Sequence, residues 1–92
     1  MASENDPAED YMLTVLIEEC AEVIQAASKC KRFGSDNYFE GYGNNRERLS
    51  SEIGDLLAVI GSLPLDHRSL ESSKSQKMDR VKFWLDRKDN PR

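Results

Sequence analysis

Apolar residues recur at intervals of three and four along most of the chain, and this spacing predicts an all-α fold. The first such stripe runs through Leu13, Leu16, Ile17, Cys20, Val23, Ile24 and Ala27. Its helix is predicted to begin at Pro7, because Asp6 and Glu9 suit a capping box and proline suits the first helical position. Basic residues followed by Gly34 predict that it ends near Phe33.

Two further helices are predicted after a turn-rich segment, residues 34–44, that is rich in glycine and aromatic residues. The second helix, about residues 45–63, has Asn44 and Glu47 placed for a capping box. Its apolar stripe consists of Leu49, Ile53, Leu56, Leu57 and Ile60. The third helix, about residues 66–87, can be capped by Asp66 and has a polar first half. No segment has strand character.

The size and charge of the chain limit the kinds of protein that it can be. A length of 92 residues fits one domain, residues 1–92, and in so small a domain a site between two helices needs help from a third helix or from another subunit. The net charge is −4, and no basic stripe indicates binding to a nucleic-acid polymer. The polar N-terminus is unlike a signal peptide, and no apolar run reaches membrane-spanning length. We therefore expect a cytoplasmic protein that forms oligomers.

The two cysteines support the same compartment. Cys20 and Cys30 lie on one predicted helix, where ten residues of rise separate them by about 15 Å. That distance prevents a disulfide between them within one chain. We expect reduced thiols in the core of a cytoplasmic protein.

Five carboxylates in two clusters carry most of the candidate chemistry. Glu18, Glu19 and Glu22 lie on the first helix, and Glu52 and Asp55 lie on the second. Residues at these spacings are neighbours on a helix, and like charges there reduce stability. A hard divalent cation such as Mg²⁺, which binds carboxylate oxygens together with substrate phosphates, would compensate. The alternative is that both clusters are simply solvated helix faces.

The helical angles favour convergence of the two clusters. At about 100° per residue, Glu19 borders the apolar stripe of the first helix, and Glu52 and Asp55 border that of the second. If the two stripes pack antiparallel, these acids meet at one margin of the interface. Carboxylates gathered in a half-buried groove either bind a cation or have raised pKa values.

The acids also form a recognisable pattern. Glu18-Glu19-x-x-Glu22 followed by Glu52-x-x-Asp55 resembles the EExxE…ExxD signature of the MazG-like all-α nucleoside triphosphate pyrophosphatases. The segments RFG after the first helix, NRERL before the second acid pair, and KMDRV near the end agree with short phage and bacterial members. The resemblance covers about residues 12–87. One departure is the long gap between Glu22 and Glu52, whose extra length falls in the aromatic loop.

The resemblance implies an enzyme that cleaves a (d)NTP to (d)NMP and diphosphate by attack of an activated water on the α-phosphorus. It implies Mg²⁺, with Mn²⁺ as a substitute, and subunits that pair into a four-helix-bundle dimer or a tetramer. Carried over by position, Glu19, Glu22, Glu52 and Asp55 match the metal ligands, and Glu18 or Glu19 is the candidate general base. We expect a purine substrate, dGTP or GTP.

Other residues have two interpretations each. Lys77 and Arg80 either contact phosphates, also across subunits, or form a solvated basic face. Arg32 either contacts phosphate or stabilises the end of the first helix through its dipole. Three residues of the loop either bind the base or serve packing and turns: Tyr38, Phe39 and Asn37. The alternative to the enzyme as a whole is a non-enzymatic helical oligomerisation module with regulatory function.

Overall fold

The computed structural model describes residues 4–38 and 43–87, which form three helices. They are α1 (Pro7–Phe33), α2 (Asn45–Gly61) and α3 (His67–Arg87), and the all-α prediction is confirmed. Within the described residues the only extended pairing is one antiparallel bridge between Tyr38 and Asn44, where the loop returns to α2. Helix α2 ends two residues before the predicted boundary, because the Ser62 N–H bonds back to the Val59 carbonyl oxygen as a cap.

The two ends of α1 differ in how well their sequence signals describe them. Pro7 occupies the first turn as predicted, but Asp6 makes no side-chain capping bond in the described part of the chain, so the predicted capping box is wrong. The Asp6 backbone carbonyl instead accepts from the Asp10 N–H at 2.9 Å. Gly34 ends the helix with φ = 92°, a conformation that favours glycine, and its N–H bonds to the Cys30 carbonyl.

The starts of α2 and α3 follow the sequence signals. The Asn44 side chain accepts from the Glu47 N–H at 2.8 Å, and the Glu47 carboxylate accepts from the Asn44 N–H at 3.3 Å. This reciprocal pair is the predicted capping box. Asp66 accepts hydrogen bonds from the Ser69 N–H and hydroxyl, so it caps α3, which begins one residue later than predicted.

Helices α1 and α2 pack as an antiparallel hairpin, whereas α3 makes no packing contact with either within the described residues. The core of the hairpin is small, with only Ala26 and Val59 buried among its described apolar residues. Many large apolar side chains are exposed in the single chain, among them Ile17, Ile24, Ile53 and Leu57 on the hairpin and Met78, Val81, Phe83, Trp84 and Leu85 on α3. The hairpin therefore positions the candidate site, and α3 stands apart from it.

The cysteines correct one expectation. Both are free, but Cys20 is exposed on α1 and does not belong to the core of the single chain. Cys30 is half-buried, and its thiol donates to the Asn45 carbonyl oxygen at 3.4 Å.

None of the three described helices combines the length and the apolar character that a membrane span requires.

Candidate metal centre and nucleotide site

Three carboxylates from the two packed helices meet at the margin of the hairpin. One oxygen each from Glu19 on α1 and from Glu52 and Asp55 on α2 lies within 4.8 Å of the others. Glu52 and Asp55 share a face because they are three residues apart, and antiparallel packing brings Glu19 opposite them. Glu19 and Glu52 are half-buried, and Asp55 is exposed. We call these residues the three-acid group.

The carboxyl group of Glu19 has a raised pKa and one buried oxygen. Loss of solvent raises the pKa of Glu19 above its ordinary value, and the charges of Asp55 and Glu52 raise it further. Its Oε2 atom is buried and has no hydrogen-bond partner in the described part of the chain. A buried carboxylate oxygen that receives no hydrogen bond from the described residues and lies among like charges is a suitable ligand for a hard divalent cation. The residues therefore fit the implied ion.

The two other acids of the pattern stand beside the three-acid group. Glu18 and Glu22 are exposed, and neither belongs to the set of oxygens that lie together. Their charges nevertheless contribute to the raised pKa of Glu19. The reason for the difference is angular, because Glu19 points about 60° to 100° closer to α2 than these neighbours do. Glu22, expected as a ligand, thus lies next to the group in this arrangement.

The basic candidates lie away from the three-acid group within one chain. Lys77 and Arg80 are exposed on α3, which does not pack against the hairpin. Arg32 lies in the last turn of α1, and its guanidinium is 4.9 Å from the centre of the Phe33 ring. Thirteen residues of helical rise separate Arg32 from Glu19 by about 20 Å.

The loop candidates lie at the junction of α1 and α2. Asn37 and Tyr38, together with Phe33 and Asn45, line a cavity of about 410 Å³. Phe39 lies outside the described residues. The sequence suggests Asn45 either as a contact to a base edge or as a cap or turn residue, and the structure buries it to 2% exposure. It lies seven residues before Glu52, on the same face of α2.

Comparison with known proteins agrees with this arrangement. The family sequence model for the MazG nucleotide pyrophosphohydrolase domain matches residues 8–80 of the chain. These residues include α2 and most of α1 and α3. No match was found among curated proteins or solved structures. All five acids of the pattern lie within the matched residues, which make up well over half of the chain. The chain belongs to the MazG nucleotide pyrophosphohydrolase family.

Proposed function

We propose that this protein is a Mg²⁺-dependent (d)NTP pyrophosphohydrolase that releases (d)NMP and diphosphate. Family membership supports a nucleotide pyrophosphohydrolase. The observation that carries the metal dependence is the buried Glu19 Oε2, which lacks a donor in the described residues and faces a cluster of like charges. The folded chain tolerates that arrangement at a cost in stability that a bound cation would offset.

The acids take distinct roles in this proposal. Glu19, Glu52 and Asp55 hold the ion, and the exposed Glu22, one helical turn from Glu18, completes the ligand set. When bound, Mg²⁺ supplies charge neutralisation at the phosphate oxygens and lowers the pKa of a coordinated water. Glu18 accepts the proton of the water that attacks the α-phosphorus, with Glu19 as the alternative base. Mn²⁺ is expected to substitute for Mg²⁺.

The remaining contacts to the nucleotide come from the ends of the hairpin and from α3. Lys77 and Arg80 neutralise the leaving diphosphate. Of its two interpretations, the stabilisation of the C-terminal end of α1 through the helix dipole is the one proposed for Arg32, because about 20 Å of helical rise separate it from Glu19. Tyr38, Asn37 and Phe39 are the proposed contacts to the base, and we expect a purine, dGTP or GTP. Tyr38 is 79% exposed, which leaves its ring available for stacking.

A second copy of the chain completes the proposed enzyme. The hairpin and α3 each expose an apolar surface, and in the described part of one chain these surfaces do not contact one another. A chain that buries so few large side chains gains little stability alone. We propose a homodimer or homotetramer in which helices of two chains form a four-helix bundle. In that assembly Lys77 and Arg80 contact the phosphates of a nucleotide bound at the three-acid group of the neighbouring subunit.

The test is diphosphate release from the standard NTPs and dNTPs with Mg²⁺, run beside Glu22→Gln and the control Glu71→Gln, whose exposed acid lies on α3. We expect release from the wild type and the control, and a loss of at least about 100-fold in Glu22→Gln. The contrary result is a folded protein that releases no diphosphate from any of these nucleotides and is not stabilised by Mg²⁺ plus nucleotide. That result would support the non-enzymatic oligomerisation module.

A further inference from the structure

One of the residues that line the cavity at the α1–α2 junction has a buried acceptor that the proposed chemistry does not use. Asn45 lines this cavity together with Phe33, Asn37 and Tyr38. Its side chain is almost fully buried, yet its Oδ1 atom has no hydrogen-bond partner among residues 4–38 and 43–87. An unsatisfied buried acceptor reduces the stability of the folded chain, so its retention calls for a reason.

The local hydrogen bonds fix which atoms the two amides can offer. Asn45 Nδ2 donates to the Gly34 carbonyl oxygen at 2.9 Å, and Asn37 Nδ2 donates to the Phe33 carbonyl oxygen. A backbone carbonyl oxygen can only accept a hydrogen bond. If either amide were flipped, its Oδ1 would face that carbonyl oxygen and the hydrogen bond would be lost. The Asn45 N–H also bonds to the Asn37 carbonyl at 2.9 Å, which ties the two residues together. Each amide therefore presents its Oδ1 as an acceptor.

The position of this cavity relative to the three-acid group suits a nucleotide. Asn45, Arg48, Glu52 and Asp55 are spaced three, four and three residues apart, so they share one face of α2. Seven residues of rise place Asn45 about 10 Å from Glu52 along the helix axis. A nucleoside monophosphate spans a comparable length between its phosphate and the far edge of its base. A substrate with its phosphates at the three-acid group can thus extend its base towards the cavity.

We propose that Asn45 and Asn37 are specificity-determining residues that select guanine, an inference that rests on the proposed function. Two acceptor oxygens call for two neighbouring N–H donors on the ligand. Guanine presents this pair, N1–H and the N2 amino group, on its base-pairing edge, whereas adenine, cytosine and uracil each present only one donor group there. A base that lacks the N2 amino group leaves one of the two acceptor oxygens without a donor. The binding free energy of that hydrogen bond is then lost.

The closing experiment varies the ligand, because Asn45→Ala removes the bond to Gly34 and threatens the fold. Calorimetric titration of the wild type with dGMP, dIMP, dAMP and 7-deaza-dGMP, each with Mg²⁺, measures base preference without turnover. We expect dGMP to bind about 10- to 100-fold more tightly than dIMP, which lacks only the N2 amino group. 7-Deaza-dGMP, which keeps the pairing edge, is expected to bind like dGMP.

Two variants refine the measurement. Asn37→Ala, at an exposed position, is expected to reduce the dGMP-to-dIMP ratio several-fold. Gln25→Ala removes an exposed amide on α1 that does not line the cavity, and it should keep the wild-type ratio. Equal binding of dGMP and dIMP, or tighter binding of dAMP, would overturn the inference. The two proposals fail separately: guanine-selective binding without triphosphate hydrolysis would sustain the cavity assignment and refute the enzyme, and hydrolysis without guanine preference would do the reverse.

Discussion

The side chain of Asn45, the first residue of α2, donates a hydrogen bond of 2.9 Å to the carbonyl oxygen of Gly34, the residue that ends α1. This bond joins the two helix ends across the loop. The Cys30 thiol reinforces the junction by donating to the Asn45 carbonyl at 3.4 Å. The junction sets how α1 and α2 face one another, and with it the register that brings Glu19 opposite Glu52 and Asp55.

Replacement of Gly34 tests the importance of this junction. Gly34 has φ = 92°, and an added Cβ would lie 3.0 Å from Asn37 Nδ2. Gly34→Ala is expected to lower the free energy of unfolding by about 1–2 kcal/mol, because a side chain is strained in that conformation. Chemical denaturation measures the loss. Gly61→Ala is the control, since its Cβ would meet no atom within 4 Å and the change should be neutral or slightly stabilising.

The capping box of α2 is a second contribution that can be measured. Asn44→Ala removes the bond to the Glu47 N–H and is expected to reduce the free energy of unfolding by about 1 kcal/mol. Asn44→Asp retains an acceptor of the same shape and should stay close to the wild type. A loss of equal size in both variants would contradict a capping role for this side chain.

Glu19→Gln separates apo stability from metal binding. Without metal, removal of the Glu19 charge relieves its desolvation and the repulsion from Asp55 and Glu52, so the melting temperature should rise. With Mg²⁺, the same variant should lose the stabilisation that the wild type gains, and its turnover should fall by at least about 100-fold. Thermal melts with and without Mg²⁺ measure both effects. A fall in apo stability would argue that the carboxylate is satisfied in the folded chain.

Asp66 gives the protein an acid-dependent contribution to stability. Hydrogen bonds from the Ser69 N–H and hydroxyl lower the pKa of Asp66 below its ordinary value. In acid the unfolded chain therefore binds more protons than the folded one, so this stabilisation is present at neutral pH and is lost as the pH falls through the folded pKa. Melts between neutral pH and about pH 3 should show a shallower acid loss for Asp66→Asn than for the wild type. An identical pH profile would contradict the role of this cap.

The exposed apolar surface of the hairpin is expected to form the subunit interface. Leu57 is 61% exposed on α2 in the single chain. Leu57→Asp should shift the protein towards monomers and lower its melting temperature, because a charge cannot be buried in an apolar interface without large cost. Sedimentation across a concentration series measures the shift. Ser72→Asp, on the polar half of α3, is the control and should assemble like the wild type. Unchanged sedimentation of Leu57→Asp would place the interface elsewhere.

Local signals in the sequence determined the helices of this protein. The three- and four-residue spacing of apolar positions predicted α1 and α2, and Gly34 and Asn44 predicted the helix ends between them. These features depend on neighbouring residues, so a sequence carries them directly. The failure at Asp6 is of the same local kind, since a residue type suited to capping makes no cap unless its side chain accepts from an N–H group of the first helical turn.

The helical angles predicted that Glu19, Glu52 and Asp55 converge, whereas tertiary structure decided that Glu22 stays outside the group and what lies beside it. Glu18, Glu19 and Glu22 belong to one motif, but the rotation of α1 against α2 brings only Glu19 of the three into the group with Glu52 and Asp55. The burial of Asn45 likewise follows from packing against the end of α1, which no local pattern encodes. A sequence fixes which side chains share a helix face, whereas the angle and depth at which two faces meet depend on packing across the whole interface.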